Sequence, residues 1–216
     1  MNEAMVKVEN LRKTFREEEV LKGITCEFEK GKTHAVIGNN GSGKSVFFKC
    51  ICGFIEPTEG HIFVNEKEIG KDVDFPESIG VIIERPGFLP NISGFKNLQL
   101  LAGIKQIIND EEIKKTIQKV GLDPESKKAV SKYSMGMKQR LGIAQAIMEN
   151  PDIIFLDEPF NGLDKNGVAE IRALIMELKK SGKTIFLTSH NSEDIKILAD
   201  CVWEMDGGKL TKIKSI

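Results

Sequence analysis

A glycine-rich run is the first feature of the chain that could do chemistry. It reads Gly38-Asn39-Asn40-Gly41-Ser42-Gly43-Lys44-Ser45 and fits the phosphate-binding loop pattern at every fixed position. Its glycines let the backbone turn tightly and aim several N–H groups at one anion. The pattern places the Lys44 ammonium at the β- and γ-phosphates and offers the Ser45 hydroxyl to Mg²⁺. The run predicts a nucleoside triphosphate site with Mg²⁺; the alternative is a chance glycine turn before a helix.

A second chemical feature is a pair of carboxylates that follows the apolar run 153–156. Asp157 and Glu158 end this run, which predicts that they lie at the carboxyl edge of a sheet, where ligands bind in open α/β folds. Asp157 is predicted to hold Mg²⁺, directly or through water. Glu158 is predicted to take a proton from an attacking water molecule. Alone, the pattern fits equally a strand that runs into a charged loop, but the phosphate loop favours the catalytic interpretation.

Both features require a sheet with helices around it. Short apolar runs predict strands near residue 6 and at 33–37, 61–64, 79–83, 153–156 and 184–188. Helices are predicted at 45–52, 111–120, 137–148 and 168–178, and the block from 97 to 107 is rich in leucine, alanine and isoleucine. A turn is predicted at 16–19 and a hairpin at 201–213. Because strands alternate with helices, we expect an α/β fold with a mostly parallel sheet that is covered on both faces.

Composition excludes several classes of protein. The 216 residues include 31 Lys and Arg against 32 Asp and Glu, a balance that excludes a strongly basic nucleic-acid binder. No stretch approaches the ~20 apolar residues that cross a bilayer. The first residues lack the pattern of a signal peptide, so we expect the protein to stay in the compartment where it is made.

A third motif lies between the first two and narrows the function. The first two alone fit kinases, GTPases and motors, although no Asn/Thr-Lys-x-Asp sequence is present to read guanine. With the stretch Tyr133-Ser134-Met135-Gly136-Met137-Lys138-Gln139-Arg140-Leu141, the chain resembles the ATP-binding cassette family, the nucleotide-binding subunits of membrane transporters. Ser134 and Gly136 match the family's Leu-Ser-Gly-Gly-Gln signature, whereas Tyr133, Met135 and Met137 depart from it. The alternative for this stretch is an ordinary core-facing helix.

The resemblance implies a complete architecture. One domain (1–216) would have the P-loop NTPase (RecA-like) fold, with an antiparallel β subdomain and an inserted helical subdomain. The nucleotide-binding core would comprise 1–85 and 150–216, and the helical subdomain 86–149. ATP and Mg²⁺ would be the cofactors, with residues 38–45 around the nucleotide.

The resemblance also implies partners. Two cassettes, identical or related, would form a head-to-tail dimer in which Ser134 and Gly136 of one cap the ATP of the other. The loop 161–164 would contact the partner subunit, with N-capping of the next helix by Asp164 as a compatible role. A separate transmembrane permease would place the protein in the cytoplasm, at the inner face of the cell membrane. No direct contact with nucleic acid is expected.

Three further residues receive roles from the resemblance. His190 would contact the γ-phosphate and orient the water, although a lone histidine after a strand is more often structural. Phe15 would stack on adenine, with a core phenylalanine as the alternative. Glu84 occupies the position of a glutamine that touches Mg²⁺ and senses the transmembrane partner.

Glu84 also points to a subgroup. Cassettes for lantibiotic and other antimicrobial-peptide immunity or export are similar here, and the residues 88–91 resemble their continuation. A carboxylate near the phosphates adds repulsion unless Mg²⁺ or Arg85 compensates it, so we hypothesise that Glu84 makes ATP use depend more steeply on Mg²⁺.

The expected function is ATP hydrolysis, with Lys44, Glu158 and His190 as catalytic residues. The resemblance implies that hydrolysis powers export of an antimicrobial peptide or a drug through the separate membrane subunit. The alternatives are a soluble cassette ATPase acting on nucleic acid or the ribosome, and a P-loop kinase.

Overall fold

The computed structural model describes residues 3–84 and 86–215, so the predicted role of Arg85 lies outside the described residues. These residues form ten strands and six α-helices. The strands are β1 Ala4–Phe15, β2 Glu18–Glu29, β3 Thr33–Ile37, β4 Glu59–Val64, β5 Lys67–Glu68, β6 Ile79–Ile82, β7 Ile153–Leu156, β8 Thr184–Leu187, β9 Cys201–Asp206 and β10 Lys209–Ser215. The helices are α1 Lys44–Ile51, α2 Gly94–Lys105, α3 Asp110–Lys119, α4 Met135–Ile147, α5 Lys165–Lys180 and α6 Ser192–Leu198.

A mostly parallel sheet forms the centre of the molecule. Its strand order is β10-β9-β3-β8-β7-β6, and every neighbouring pair is parallel except β10 with β9. Strands β7 and β8 are buried along their whole length, because both faces of a parallel sheet are covered. The Phe155 and Phe186 rings stack between these two strands with centroids 4.5 Å apart. The predicted parallel α/β core is confirmed.

A second, antiparallel sheet has the order β2-β1-β4-β5. The prediction of a turn at 16–19 is partly wrong, since β2 already begins at Glu18, which pairs with Phe15. The reversal needs only two residues, Arg16 and Glu17. The charged residues that follow belong to the strand, where the Glu19 carboxylate pairs with the Arg12 guanidinium of β1 at 2.6 Å. Neither β2 nor α6 was among the elements predicted from the sequence.

Three helices, α2, α3 and α4, lie along the chain between β6 and β7. A capping box begins α3: the Asn109 side chain accepts from the Glu112 amide, and the Glu112 side chain accepts from the Asn109 amide. At α5, Asp164 accepts from the Gly167 N–H at 2.8 Å, as N-capping predicts. The subdomain bounds at 85/86 and 149/150 stay predictions.

None of the helices in the described part of the chain combines the length and the apolar character that a membrane crossing requires.

Candidate nucleotide and metal site

The glycine-rich loop connects β3, near the centre of the parallel sheet, to α1. Gly38 opens the loop at φ 145°, and a Cβ there would lie 2.2 Å from the Met205 carbonyl oxygen, so only glycine fits. Gly43 stands at the N-cap of α1 with φ 110°, and no side chain caps this helix. The first N–H groups of α1 are therefore left for another acceptor, as at the anion-binding starts of helices.

The Lys44 side chain folds back over this loop. Its Nζ donates to the carbonyl oxygens of Gly38 at 2.7 Å and of Asn39 at 2.9 Å, which leaves one of its three donors for a ligand. The Ser42 hydroxyl is buried and makes no hydrogen bond with any of the described residues. A buried hydroxyl without a partner beside an uncapped helix fits the phosphate tail of a nucleotide.

Two oxygen donors suitable for a divalent cation meet at the end of β7. The Ser45 Oγ donates to the Asp157 Oδ2 at 2.7 Å, and the Thr188 Oγ1 donates to the Asp157 Oδ1, also at 2.7 Å. A serine hydroxyl and a carboxylate are hard oxygen ligands of the type that Mg²⁺ prefers. The donor set therefore fits Mg²⁺ bound beside the phosphates.

Glu158 adopts an unusual backbone conformation, with φ of 50°. Its N–H donates to the Thr188 Oγ1 at 2.8 Å, and its carbonyl oxygen accepts from the Gln139 Nε2 at 3.1 Å. Burial raises the pKa of the Glu158 carboxyl above its ordinary value, while the nearby His190 counteracts part of this rise. A glutamate with a raised pKa is better matched to accepting a proton near neutral pH.

His190 lies on the other side of this carboxyl. Its Nε2 is 3.2 Å from the Glu158 Oε1, although the two groups do not align as a hydrogen bond.

One cavity of about 480 Å³ contains this chemistry. Its lining consists of Val20, Asn40, Gly41, Gly43, Lys44, Ser45, Val46, Asp157, Glu158 and His190. The structure therefore brings together Lys44, Ser45, Asp157, Glu158 and His190, although they come from three separate parts of the chain.

Other predicted residues do not line this cavity. The Glu84 Oε1 accepts from the Lys49 Nζ at 2.5 Å, beside a different groove. The side chain of Phe15 is exposed at the end of β1, with the Lys13 Nζ 5.0 Å from its ring centroid. The roles that the sequence assigned to Glu84 and Phe15 stay predictions.

The two signature residues lie at the start of α4, also outside the cavity lining. Ser134 is exposed and N-caps α4 by accepting from the Met137 N–H at 3.2 Å. A Cβ at Gly136 would lie 2.7 Å from the Gly162 carbonyl oxygen, so α4 packs closely on the loop 161–164 of the same chain.

Sequence reasoning missed two residues of the site. Thr188, fully buried, joins Asp157 to Glu158, and a hydroxyl residue directly after a strand was the signal that could have found it. Gln139 binds a backbone oxygen, and no residue pattern reports such a contact.

Comparison with known proteins agrees with this geometry. A family model described as "ABC transporter" matches residues 21–161. The chain is 46% identical over 206 residues to the ABC transporter ATP-binding protein YybJ of Bacillus subtilis (strain 168), covering 95% of this chain and 94% of YybJ. It is 39% identical to the bacitracin transport ATP-binding protein BcrA of Enterococcus faecalis, over 97% of this chain and 69% of BcrA. It is 36% identical to the lantibiotic transport ATP-binding protein SrtF of Streptococcus pyogenes, over 95% of this chain and 89% of SrtF.

Solved structures show the same fold. The dimeric, post-hydrolysis ATP-binding cassette MJ0796, bound to ADP and Pi, superposes with a TM-score of 0.87 at 22% identity, over 98% of this chain and all of that one. The cbiO1 protein of Clostridium perfringens, part of the transporter complex cbiONQ, gives 0.81 at 28% identity, over 97% and 88%. The P-loop NTPase fold and the resemblance predicted from residues 133–141 are confirmed, and this chain belongs to the ABC transporter family as an ATP-binding, ATP-hydrolysing subunit.

Proposed function

We propose that the chain powers the export of an antimicrobial peptide or a drug through a separate permease at the inner face of the cell membrane. The convergence of Lys44, Asp157, Glu158 and His190 on one cavity is the observation that carries the ATPase part. The relatives named for bacitracin and lantibiotic transport support the export part. The soluble alternative, acting on nucleic acid or the ribosome, is not favoured by these relatives.

The site residues divide the work of hydrolysis. Lys44 places positive charge at the phosphates, and the first N–H groups of α1 add theirs. Glu158 takes the proton of the attacking water. His190, whose Nε2 lies 3.2 Å from the Glu158 carboxylate, orients this water. Mg²⁺, which Ser45 and Asp157 would hold, supplies neutralisation of the charge that develops on the phosphate oxygens.

A second cassette completes the site in this proposal. Ser134 and Gly136 lie at the exposed start of α4, away from the cavity of their own chain. In a head-to-tail dimer, the Ser134 hydroxyl and the N-terminus of α4 would cap the ATP on the phosphate loop of the other subunit. The solved cassette MJ0796, which has this fold and is dimeric, supports the dimer in this proposal.

The permease would bind on the face beside Glu84. A groove of about 420 Å³ lies between α1, β6 and α4, and its lining includes Lys49, Phe54, Gln145 and Glu149. Its mixture of apolar walls and charged rims fits a cytoplasmic segment of a membrane subunit. The groove adjoins Glu84, the residue that the resemblance assigns to sensing this partner.

The test of this function uses Glu158→Gln. We expect the variant to bind ATP as the unaltered protein does, to lose at least a hundredfold in hydrolysis, and to elute as a dimer when ATP is present. Glu177→Gln, which alters an exposed carboxylate on α5 that pairs with Lys119 away from both the cavity and this groove, is the matched control and should keep full turnover. Unchanged hydrolysis in Glu158→Gln removes Glu158 from the role of base.

Two further measurements separate the alternatives. Release of inorganic phosphate with no acceptor added distinguishes the ATPase from a kinase. Cells that lose the protein should become more sensitive to bacitracin or to a lantibiotic, and cells with unchanged sensitivity to both would contradict the export role.

A further inference from the structure

A buried amide connects helix α4 with the catalytic glutamate of the same chain. Gln139 is 9% exposed, and its Nε2 donates to the Glu158 carbonyl oxygen at 3.1 Å. A backbone oxygen can only accept, so the amide nitrogen, not the amide oxygen, must face it. Because Gln139 is buried, water does not readily replace this bond when the amide is removed.

The backbone at the other end of this bond requires support. Glu158 has φ of 50°, a conformation that residues with a Cβ rarely adopt and that persists only where the surroundings hold it. Thr188 holds the N–H side of the residue, while Gln139 and the Asn161 N–H, at 3.2 Å, hold its carbonyl side. The direction of the Glu158 carboxylate therefore depends on both ends of this residue.

A second contact fixes α4 against the same segment. One turn before Gln139, a Cβ at Gly136 would lie 2.7 Å from the Gly162 carbonyl oxygen, so the helix follows the backbone from 158 to 162 closely. A shift or rotation of α4 must therefore change the hydrogen bond from Gln139 to the Glu158 carbonyl oxygen.

We propose that Gln139 is a positioning residue through which helix α4 sets the geometry of Glu158 in its own subunit. The proposal rests on the proposed function, in which the first turn of α4 caps the ATP of the partner subunit. The helix that contacts the partner's nucleotide then also holds the base for its own. Hydrolysis at one site thereby becomes sensitive to nucleotide at the other, which is positive coupling carried by one hydrogen bond.

The experiment compares Gln139→Met with the unaltered protein. Methionine keeps the length and burial of the side chain but has no donor. We expect kcat to fall about tenfold or more, while KM and ATP affinity stay within about twofold, and the Hill coefficient for ATP to fall towards 1. Gln99→Met is the matched control, because Gln99 on α2 also donates through its amide, to Asp110 at 2.8 Å, far along the chain from Glu158.

A double variant separates positioning from structure. In a Glu158→Gln background, the further change Gln139→Met should leave the residual turnover unchanged, because Gln139 acts only through Glu158. An additional fall there, or an unchanged kcat in the single variant, overturns the proposal. Gln139→Glu, which puts an acceptor against an acceptor, replaces the methionine variant if the latter does not fold, and the same loss of kcat is expected.

The failure of this inference differs from failure of the proposed function. If the unaltered protein does not hydrolyse ATP, the proposed function fails; if it does and Gln139→Met matches it in kcat and cooperativity, only the role of Gln139 fails.

Discussion

Thr188→Val removes one hydroxyl from the centre of the site while keeping its shape. Thr188 is fully buried directly after β8. Its Oγ1 donates to the Asp157 Oδ1 at 2.7 Å and accepts from the Glu158 N–H at 2.8 Å. Valine fills the same volume but offers neither bond, and water does not enter so buried a position.

The expected loss follows from these two bonds. A hydrogen bond to a charged carboxylate contributes about 1.5–3 kcal/mol, and a buried N–H without a partner costs about 1–3 kcal/mol. We therefore expect the free energy of unfolding to fall by roughly 2.5–6 kcal/mol. If half of this interaction is also needed in the transition state, kcat falls about 8-fold to 140-fold, since 1.4 kcal/mol corresponds to a factor of about ten.

The assay combines urea unfolding with initial rates of ATP hydrolysis per folded molecule. Thr184→Val is the matched control, because Thr184 is equally buried at the first residue of β8, where its Oγ1 accepts from the Gly31 N–H at 2.9 Å, at the end of the strand opposite to Thr188. It should lose stability and keep kcat. A Thr188→Val protein that is destabilised yet hydrolyses ATP at the full rate would refute the reasoning that Thr188 aligns the two carboxylates.

Three other outcomes are expected. Lys44→Ala should weaken ATP binding about tenfold to a hundredfold in calorimetry, because it removes a charge-assisted contact with the phosphates, whereas Lys119→Ala, at an exposed lysine paired with Glu177, should stay within about twofold; equal affinities would contradict the role of the loop. Glu84→Gln should make the hydrolysis rate depend less steeply on free Mg²⁺, and superimposable Mg²⁺ curves would end that hypothesis. Glu158→Gln should raise Tm, because burial raises the pKa of this carboxyl in the fold and its ionisation therefore lowers stability. The gain should grow as pH rises from the unfolded pKa to the folded pKa and stay constant above it. A Tm difference that does not change with pH would show that ionisation of Glu158 is not its cause.

Local patterns predicted much of the fold. Strands β3 and β7 were found because each is a short apolar run that directly precedes a chemical motif. Strand β2 was missed, since its glutamates obscured the alternation of buried Leu21, Cys26 and Phe28 with exposed neighbours. The order of the strands could not be predicted, because nothing local in 33–37 indicates that this strand lies between two strands from near residues 185 and 203.

The residues of the site also differ in how far the sequence predicts them. Lys44, Ser45 and Asp157 were found because their motifs are contiguous, whereas Glu158 and His190 meet only because β7 and β8 are neighbours in the sheet. The pairing of Glu84 with Lys49 links residues 35 positions apart and was not foreseen.

The placement of β3 between β8 and β9 has a consequence for biosynthesis. The backbone of the phosphate loop packs on Met205, so the loop reaches its shape only once β9 lies beside β3. During translation, β3 emerges long before either of its neighbours and has no strand of this sheet to pair with. The nascent polypeptide therefore cannot retain nucleotide until about residue 206 has cleared the exit tunnel. Prematurely terminated products should neither bind nor hydrolyse ATP.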